Sequence, residues 1–84
     1  MWMPRRGKDQ IIAKILNTCQ GDGANKTKVV YQANLNFQAA SPYLKLLTKN
    51  GLLEVAPGKS LIYKTTQKGE EVLKILKVVE AIYS

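Results

Sequence analysis

The stretch NKTKVVYQANLNFQAASPYLKLLTKNGLL (residues 25–53) decides the fold of this chain. Apolar residues recur at helical spacing on both sides of Asn34-Leu35-Asn36, which predicts two short helices joined by a tight turn. The segment between Gly23 and Leu53 has no acidic residue but holds Lys26, Lys28, Lys45 and Lys49. A helix–turn–helix with only positive charge suits a phosphate-lined groove, since lysines displace the counterions condensed on a duplex. The alternative is a solvated basic face, as on many lysine-rich small proteins.

The length and composition indicate one small globular domain. The chain has 84 residues, of which 45% are hydrophobic and 23% charged, so it is not of the disordered class. Its net charge of +7 comes from 13 Lys and Arg against 6 Asp and Glu, which favours a polyanionic partner. No strongly apolar amphipathic segment with basic flanks supports an acidic lipid surface instead.

The N-terminal residues MWMPRRGKD lack the apolar region of a signal peptide, and no apolar run approaches the length that spans a bilayer. We therefore expect a soluble intracellular protein that stays in the cytoplasm. If its polyanionic partner is DNA, the protein is associated with the nucleoid.

Residue types that support catalysis or metal binding are scarce. The chain has no histidine, and its single cysteine excludes an intramolecular disulfide. Cys19 lies on an apolar helical stripe, where we expect a small buried hydrophobe rather than a reactive thiol. Gly21-Asp22-Gly23 lacks the Walker pattern. We expect no catalytic residue, cofactor or metal site, and no enzyme activity.

The order of predicted elements is that of a winged helix-turn-helix, an α+β fold that is mostly α. Pro42 lies inside the third predicted helix, so either this helix is kinked or Ser41 is its true N-cap. Asn25 and Asn36 can cap the second and third helices, and Thr65 or Thr66 can cap the last. The predicted segments are a flexible basic arm (1–7), a winged domain (8–65) and a C-terminal dimerisation helix (66–84). Within the winged domain, we expect helices at about 8–20, 26–33 and 37–50 and strands at 52–56 and 61–65.

Three segments resemble the archaeal winged-helix DNA-binding proteins of the Sso10a type: YQANLNF (31–37), YLKLLTKNGLLE (43–54) and YKTTQKGEEVLKIL (63–76). The motifs Lys49-Asn50-Gly51-Leu52-Leu53 and Thr66-Gln67-Lys68-Gly69 carry most of this resemblance, which covers about residues 9–80. It implies a homodimer joined through the C-terminal helix, with a winged helix on each side binding double-stranded DNA. Two features depart from the family: Pro42 interrupts the helix expected in the groove, and the last helix is shorter than the family's long coiled coil.

The candidate DNA contacts follow from their positions on the predicted elements. On the third helix, glutamine can pair with adenine, serine or threonine with several bases, and lysine with phosphate or guanine. Lysines at the start of the second helix would meet phosphate, and those of the wing would follow the backbone. The arginines of the arm either reach a minor groove or stay disordered. The predicted residues are Lys26, Lys28, Asn36, Gln38, Ser41, Lys45, Lys49, Lys59, Lys64, Arg5 and Arg6, with Thr48 on the same face.

Two aromatic residues lie next to these candidates. We expect Tyr31 and Phe37 to pack in the core or the turn rather than to stack on bases.

The last helix carries two apolar rows, whereas an isolated domain needs one. Leu73, Leu76 and Tyr83 are expected to pack on the winged domain. A second row recurs at the a/d spacing of a coiled coil and predicts the dimer interface. This row is Val72, Ile75, Val79 and Ile82. The alternative is one wide stripe buried within the monomer.

These features predict a homodimer that binds double-stranded DNA and acts in transcription regulation or chromosome organisation. A winged helix used for protein–protein contact and an RNA-binding winged helix stay open as alternatives. A protein-binding domain would not need to exclude Asp and Glu from residues 24–52, so the charge pattern favours nucleic acid. Nothing in the sequence indicates a membrane or a small-molecule ligand.

Overall fold

Four helices and a two-stranded hairpin make up the computed structural model, which describes residues 7–83 and, for Tyr83, the backbone only. The elements are α1 (Lys8–Thr18), α2 (Lys26–Ala33), α3 (Phe37–Lys49), β1 (Leu53–Ala56), β2 (Ile62–Thr65) and α4 (Gln67–Tyr83). This order confirms the predicted winged helix-turn-helix fold.

The first helix packs its apolar stripe into the core. Ile15, Leu16 and Cys19 are fully buried, as their spacing predicts. The helix ends at Thr18, two residues before the predicted end at residue 20. The chain then turns through residues 21–23, where Gly21 adopts a φ of 67° that other residues rarely take.

Asparagine side chains define the helix–turn–helix. The Asn25 side chain accepts a hydrogen bond from the Lys28 amide at 2.9 Å, which caps α2. Asn34 ends α2 in the left-handed conformation, with a φ of 54°. Asn36 then caps α3, its side chain accepting from the Ala39 amide at 2.6 Å. These local bonds set where α3 begins relative to α2.

Pro42 lies inside a single α3 helix. The helix begins at Phe37 with Asn36 as its N-cap, so the alternative of a start at Ser41 is wrong. Pro42 and Gln38 are both exposed, and the Gln38 carbonyl that loses its intrahelical donor therefore lies on the solvent side. An unpaired carbonyl on the exposed side of a helix costs less than a buried one, which is consistent with a proline at this position.

The wing is an antiparallel hairpin in which Leu53 pairs with Thr65 and Val55 with Tyr63. Each strand begins one residue later than predicted. Ala24, in the loop before α2, extends this sheet by a β-bridge to Tyr63: its amide donates to the Tyr63 carbonyl at 2.9 Å and its carbonyl accepts from the Tyr63 amide at 2.8 Å. The bridge anchors the wing beside the helix–turn–helix.

One core is shared by the helices and the first strand. Its buried residues are Ala13, Ile15, Leu16, Cys19, Ala24, Val29, Ala33, Leu44, Leu47, Leu53 and Leu73. Because Leu73 belongs to α4, the helix that the sequence assigns to dimerisation also contributes to the core of the winged domain.

The C-terminus of α3 is fastened to the N-terminus of α4. The Thr66 hydroxyl donates to the Gly51 carbonyl at 2.6 Å and accepts from the Gly69 amide at 3.0 Å, so Thr66 is the N-cap of α4. The Lys68 ammonium donates to the Asn50 carbonyl at 2.9 Å. The two short motifs quoted for the family resemblance are therefore in contact with each other.

Candidate nucleic-acid interface

The lysines predicted to contact DNA lie on α2, α3 and the wing. Lys28, Lys45, Lys49 and Lys59 are exposed, and Lys64 is half-buried. The acidic residue that follows the acid-free segment is Glu54, which pairs in register with Lys64 across the hairpin. The helix–turn–helix itself therefore exposes lysines and contains no Asp or Glu.

The outward face of α3 carries exposed polar side chains. Gln38, Lys45 and Lys49 are separated by seven and four residues, which corresponds to nearly whole helical turns and places them on one side. This side lies opposite Ala40, Leu44 and Leu47, which are buried. The arrangement allows one glutamine and two lysines to reach the same groove.

Lys26 and Ser41 contact each other and Phe37. The Lys26 ammonium donates a hydrogen bond to the Ser41 hydroxyl and lies 5.7 Å from the centroid of the Phe37 ring. The Ser41 hydroxyl in turn donates to the Phe37 carbonyl at 3.2 Å. In this structure, two of the predicted DNA contacts thus hold each other at the junction of α2 and α3.

Tyr31 and Phe37 are exposed, so neither packs in the core. Phe37 lies directly after the turn, the other place that the sequence predicts for it. Phe37, the first residue of α3, is 50% exposed, and Tyr31 on α2 is 78% exposed. Helical spacing explains Tyr31, because Val29, Val30 and Ala33 occupy the inward face of α2. Asn36, which the sequence also predicts to contact DNA, uses its side chain to cap α3.

A shallow cleft of about 360 Å³ separates α3 from the wing. Thr48, predicted on the outward face of α3, lines this cleft, and its hydroxyl is buried with no hydrogen-bond partner among the described residues. The full lining is Leu44, Lys45, Thr48, Lys49, Val55 and Tyr63. The two lysines of this lining make one side of the cleft basic.

An apolar row is exposed on α4. Ile75, Val78 and Ile82 are 63%, 61% and 72% exposed, whereas Val79 is half-buried. Val72, predicted on the exposed row, packs against the core instead. Val72 lies on the side of α4 that carries Leu73 and Leu76. The exposed apolar row therefore consists of Ile75, Val78 and Ile82.

Three of the predicted residues lie wholly or partly outside the part of the chain that the structure describes. They are Arg5, Arg6 and, for its side chain, Tyr83. Within residues 7–83, no group of three or more Cys, Asp or Glu residues could hold a metal ion. The described helices are also too short or too polar to cross a membrane.

Comparison with known proteins assigns the family. Residues 5–83 match the winged helix-turn-helix family, nearly the whole chain. The chain belongs to this family. Among solved structures, this winged helix-turn-helix protein resembles Sso10a-2, a DNA-binding protein from Sulfolobus solfataricus, with a TM-score of 0.81 and 31% identity over 93% of this chain and 86% of that one. The resemblance to proteins of the Sso10a type is therefore confirmed.

Two further relatives extend the comparison. The uncharacterised protein MJ0290 of Methanocaldococcus jannaschii is 35% identical over 80 residues, which are 94% of this chain. The winged helix-turn-helix protein spans only 36% of that relative's length. The MarR family transcription regulator SP03579 shares the fold, with a TM-score of 0.75 and 20% identity over 89% of this chain and 51% of that one.

Proposed function

We propose that this winged helix-turn-helix protein binds double-stranded DNA, with α3 in the major groove and the wing along the backbone. The observation that carries the proposal is the acid-free surface of α2 and α3, on which Lys28, Lys45 and Lys49 are exposed. The relation to Sso10a-2, described as a DNA-binding protein, supports it. A domain that docked on a protein without acidic character would have no reason to exclude carboxylates from both helices.

The lysines determine how tightly any duplex is bound. Each phosphate contact releases condensed counterions and contributes about −0.9 to the slope of log affinity against log salt. Lys26 is engaged with Ser41, which leaves a set of about five lysines per subunit and a slope of about −4 to −5. This set is Lys28, Lys45, Lys49, Lys59 and Lys64.

We also propose that two subunits associate through the exposed row of α4. Ile75, Val78 and Ile82 are spaced by three and four residues, as in a coiled-coil seam. Six such side chains from two subunits would contribute roughly 9–18 kcal/mol if fully buried. Association costs about 4–15 kcal/mol, which is close to the gain from burial. A single substitution in the row can therefore be enough to dissociate the dimer.

A DNA-binding homodimer fits a role in transcription regulation or in chromosome organisation. In either role, it would act in the cytoplasm on nucleoid DNA.

A salt titration that compares three polyanions tests the proposal. Duplex DNA, duplex RNA of the same sequence and an acidic protein are each titrated with the chain at several salt concentrations. We expect the tightest binding to DNA, with the slope given above. Absence of DNA binding at low salt, or a slope near zero, would refute the proposal. Preference for RNA or for the acidic protein would replace it with one of the two alternatives.

A further inference from the structure

We propose that Phe37, held in place by Lys26, recognises the 5-methyl group of thymine in the major groove. The inference rests on the proposed DNA binding and names a base-reading residue for it. The sequence predicts that Phe37 packs in the core or the turn, so it is not among the polar residues of α3 that are expected to contact bases.

The position of Phe37 is the first part of the argument. It is the first residue of α3, directly after the N-cap Asn36. In helix-turn-helix proteins, the N-terminal residues of the recognition helix contact base edges. Half of the Phe37 surface is exposed there, next to the exposed Gln38.

The chemistry of the ring selects the ligand. The thymine methyl is the apolar group that the major groove offers, and phenylalanine is one of the side chains that contact it. The phosphate groups of the backbone offer no apolar partner. Phe37 would therefore add preference among sequences and not general affinity.

Lys26 gives the ring a fixed orientation. Its ammonium lies 5.7 Å from the ring centroid and donates to Ser41, whose hydroxyl donates to the Phe37 carbonyl. The ammonium is thus satisfied by a hydroxyl and an aromatic face, and the Lys26 side chain is half-buried. Lys26 acts as a positioning residue for Phe37 rather than as a phosphate contact.

The experiment compares a thymine-containing duplex with the same duplex in which deoxyuridine replaces thymine, so that only methyl groups are removed. We expect wild-type affinity to fall about fourfold for each contacted methyl, the effect of exposing one methyl-sized group. Phe37→Ala should bind both duplexes equally and as weakly as the wild type binds the deoxyuridine duplex. Phe37→Leu, which keeps apolar bulk, should retain part of the difference.

Leu46→Ala is the matched control. Leu46 is 48% exposed on the same helix but lies toward its C-terminal end, away from Phe37. This variant should show the full wild-type difference between the two duplexes. Circular dichroism verifies that each variant is folded before binding is measured.

The role of Lys26 is tested with two further variants. Lys26→Met should shrink the difference between the duplexes while leaving the salt slope unchanged, and Lys26→Arg should restore the difference. A slope flattened by about 0.9 in Lys26→Met would make Lys26 a phosphate contact and overturn its positioning role. If the wild type binds both duplexes equally, or if the difference persists in Phe37→Ala, Phe37 does not recognise the thymine methyl. Either result leaves the proposed DNA binding intact. Wild-type protein that binds neither duplex would overturn the proposed function as well.

Discussion

The carbonyl oxygen of Leu52 occupies the space beside Gly69 where any side chain would begin. A β-carbon on Gly69 would overlap this oxygen and would lie 2.7 Å from the Thr65 side chain. The first turn of α4 is therefore pressed directly against the backbone that follows α3. This contact fixes the angle at which α4 leaves the winged domain.

We expect Gly69→Ala to destabilise the fold by about 1–3 kcal/mol, because the overlapping atom belongs to the backbone and cannot rotate away. The higher helix propensity of alanine, worth about 1 kcal/mol, would offset only part of this loss. Urea unfolding measures the change. Gly58→Ala is the control, since a β-carbon there meets its nearest atom at an ordinary 3.6 Å. A Gly69→Ala variant as stable as the wild type would contradict the contact.

The sequence predicts the elements well because their signals are local. Asn25 and Asn36 cap helices where the pattern indicates, and Leu44 and Leu47 are buried as their spacing predicts. The bridge between Ala24 and Tyr63 was not foreseen, because it joins residues far apart in the chain and depends on how the wing folds back. Helical spacing alone could not tell that Pro42 lies inside one continuous helix.

The candidate site was predictable in its charge but not in its contacts. The exposure of Lys45 and Lys49 follows from the apolar row opposite them. The contacts of Lys26 with Ser41 and Phe37 depend on the angle between α2 and α3, which the sequence pattern does not determine. Because these contacts are tertiary, the sequence could not tell that Phe37 lies at the turn beside Lys26 rather than in the core.

Because the thiol of Cys19 is buried, we expect the free energy of unfolding to depend on pH. Burial raises the pKa of its thiol from the ordinary 9.0 to about 11, with the charge of Lys28 opposing the shift. Between these values the unfolded chain releases the proton while the folded chain keeps it, so unfolding is favoured as pH rises. The stabilising contribution is complete below about pH 9 and is lost as pH rises through about 11.

Urea unfolding of the wild type and of Cys19→Ala at about pH 8 and about pH 10.5 isolates this contribution from the lysine and tyrosine titrations. We expect the wild type to lose more stability between the two conditions than the variant. An equal loss in both proteins would show that Cys19 is not the titrating group.

Lys45→Ala and Gln38→Ala should affect DNA binding differently. Loss of a phosphate contact at Lys45 should weaken binding to all sequences alike and reduce the salt slope by about one unit. Loss of a base contact at Gln38 should change the preference among sequences by about 1–3 kcal/mol and leave the slope unchanged. Fluorescence anisotropy with a panel of duplexes measures both quantities. If neither substitution alters binding, α3 is not the reading helix, and the wing or the N-terminal arm becomes the candidate.

The exposed row of α4 predicts how the oligomeric state responds to substitution. Val78→Lys places a charge in the middle of the row formed with Ile75 and Ile82, where a dimer would bury it. We expect sedimentation to show a wild-type dimer at tens of micromolar and a Val78→Lys monomer. The monomer should keep its helical content, because Val78 does not belong to the core. Glu70→Gln is the matched control: it raises the net charge by the same unit at an exposed position off the row, and it should stay dimeric. A wild-type monomer at that concentration would refute the interface, and a dimer that survives Val78→Lys would move it to another surface.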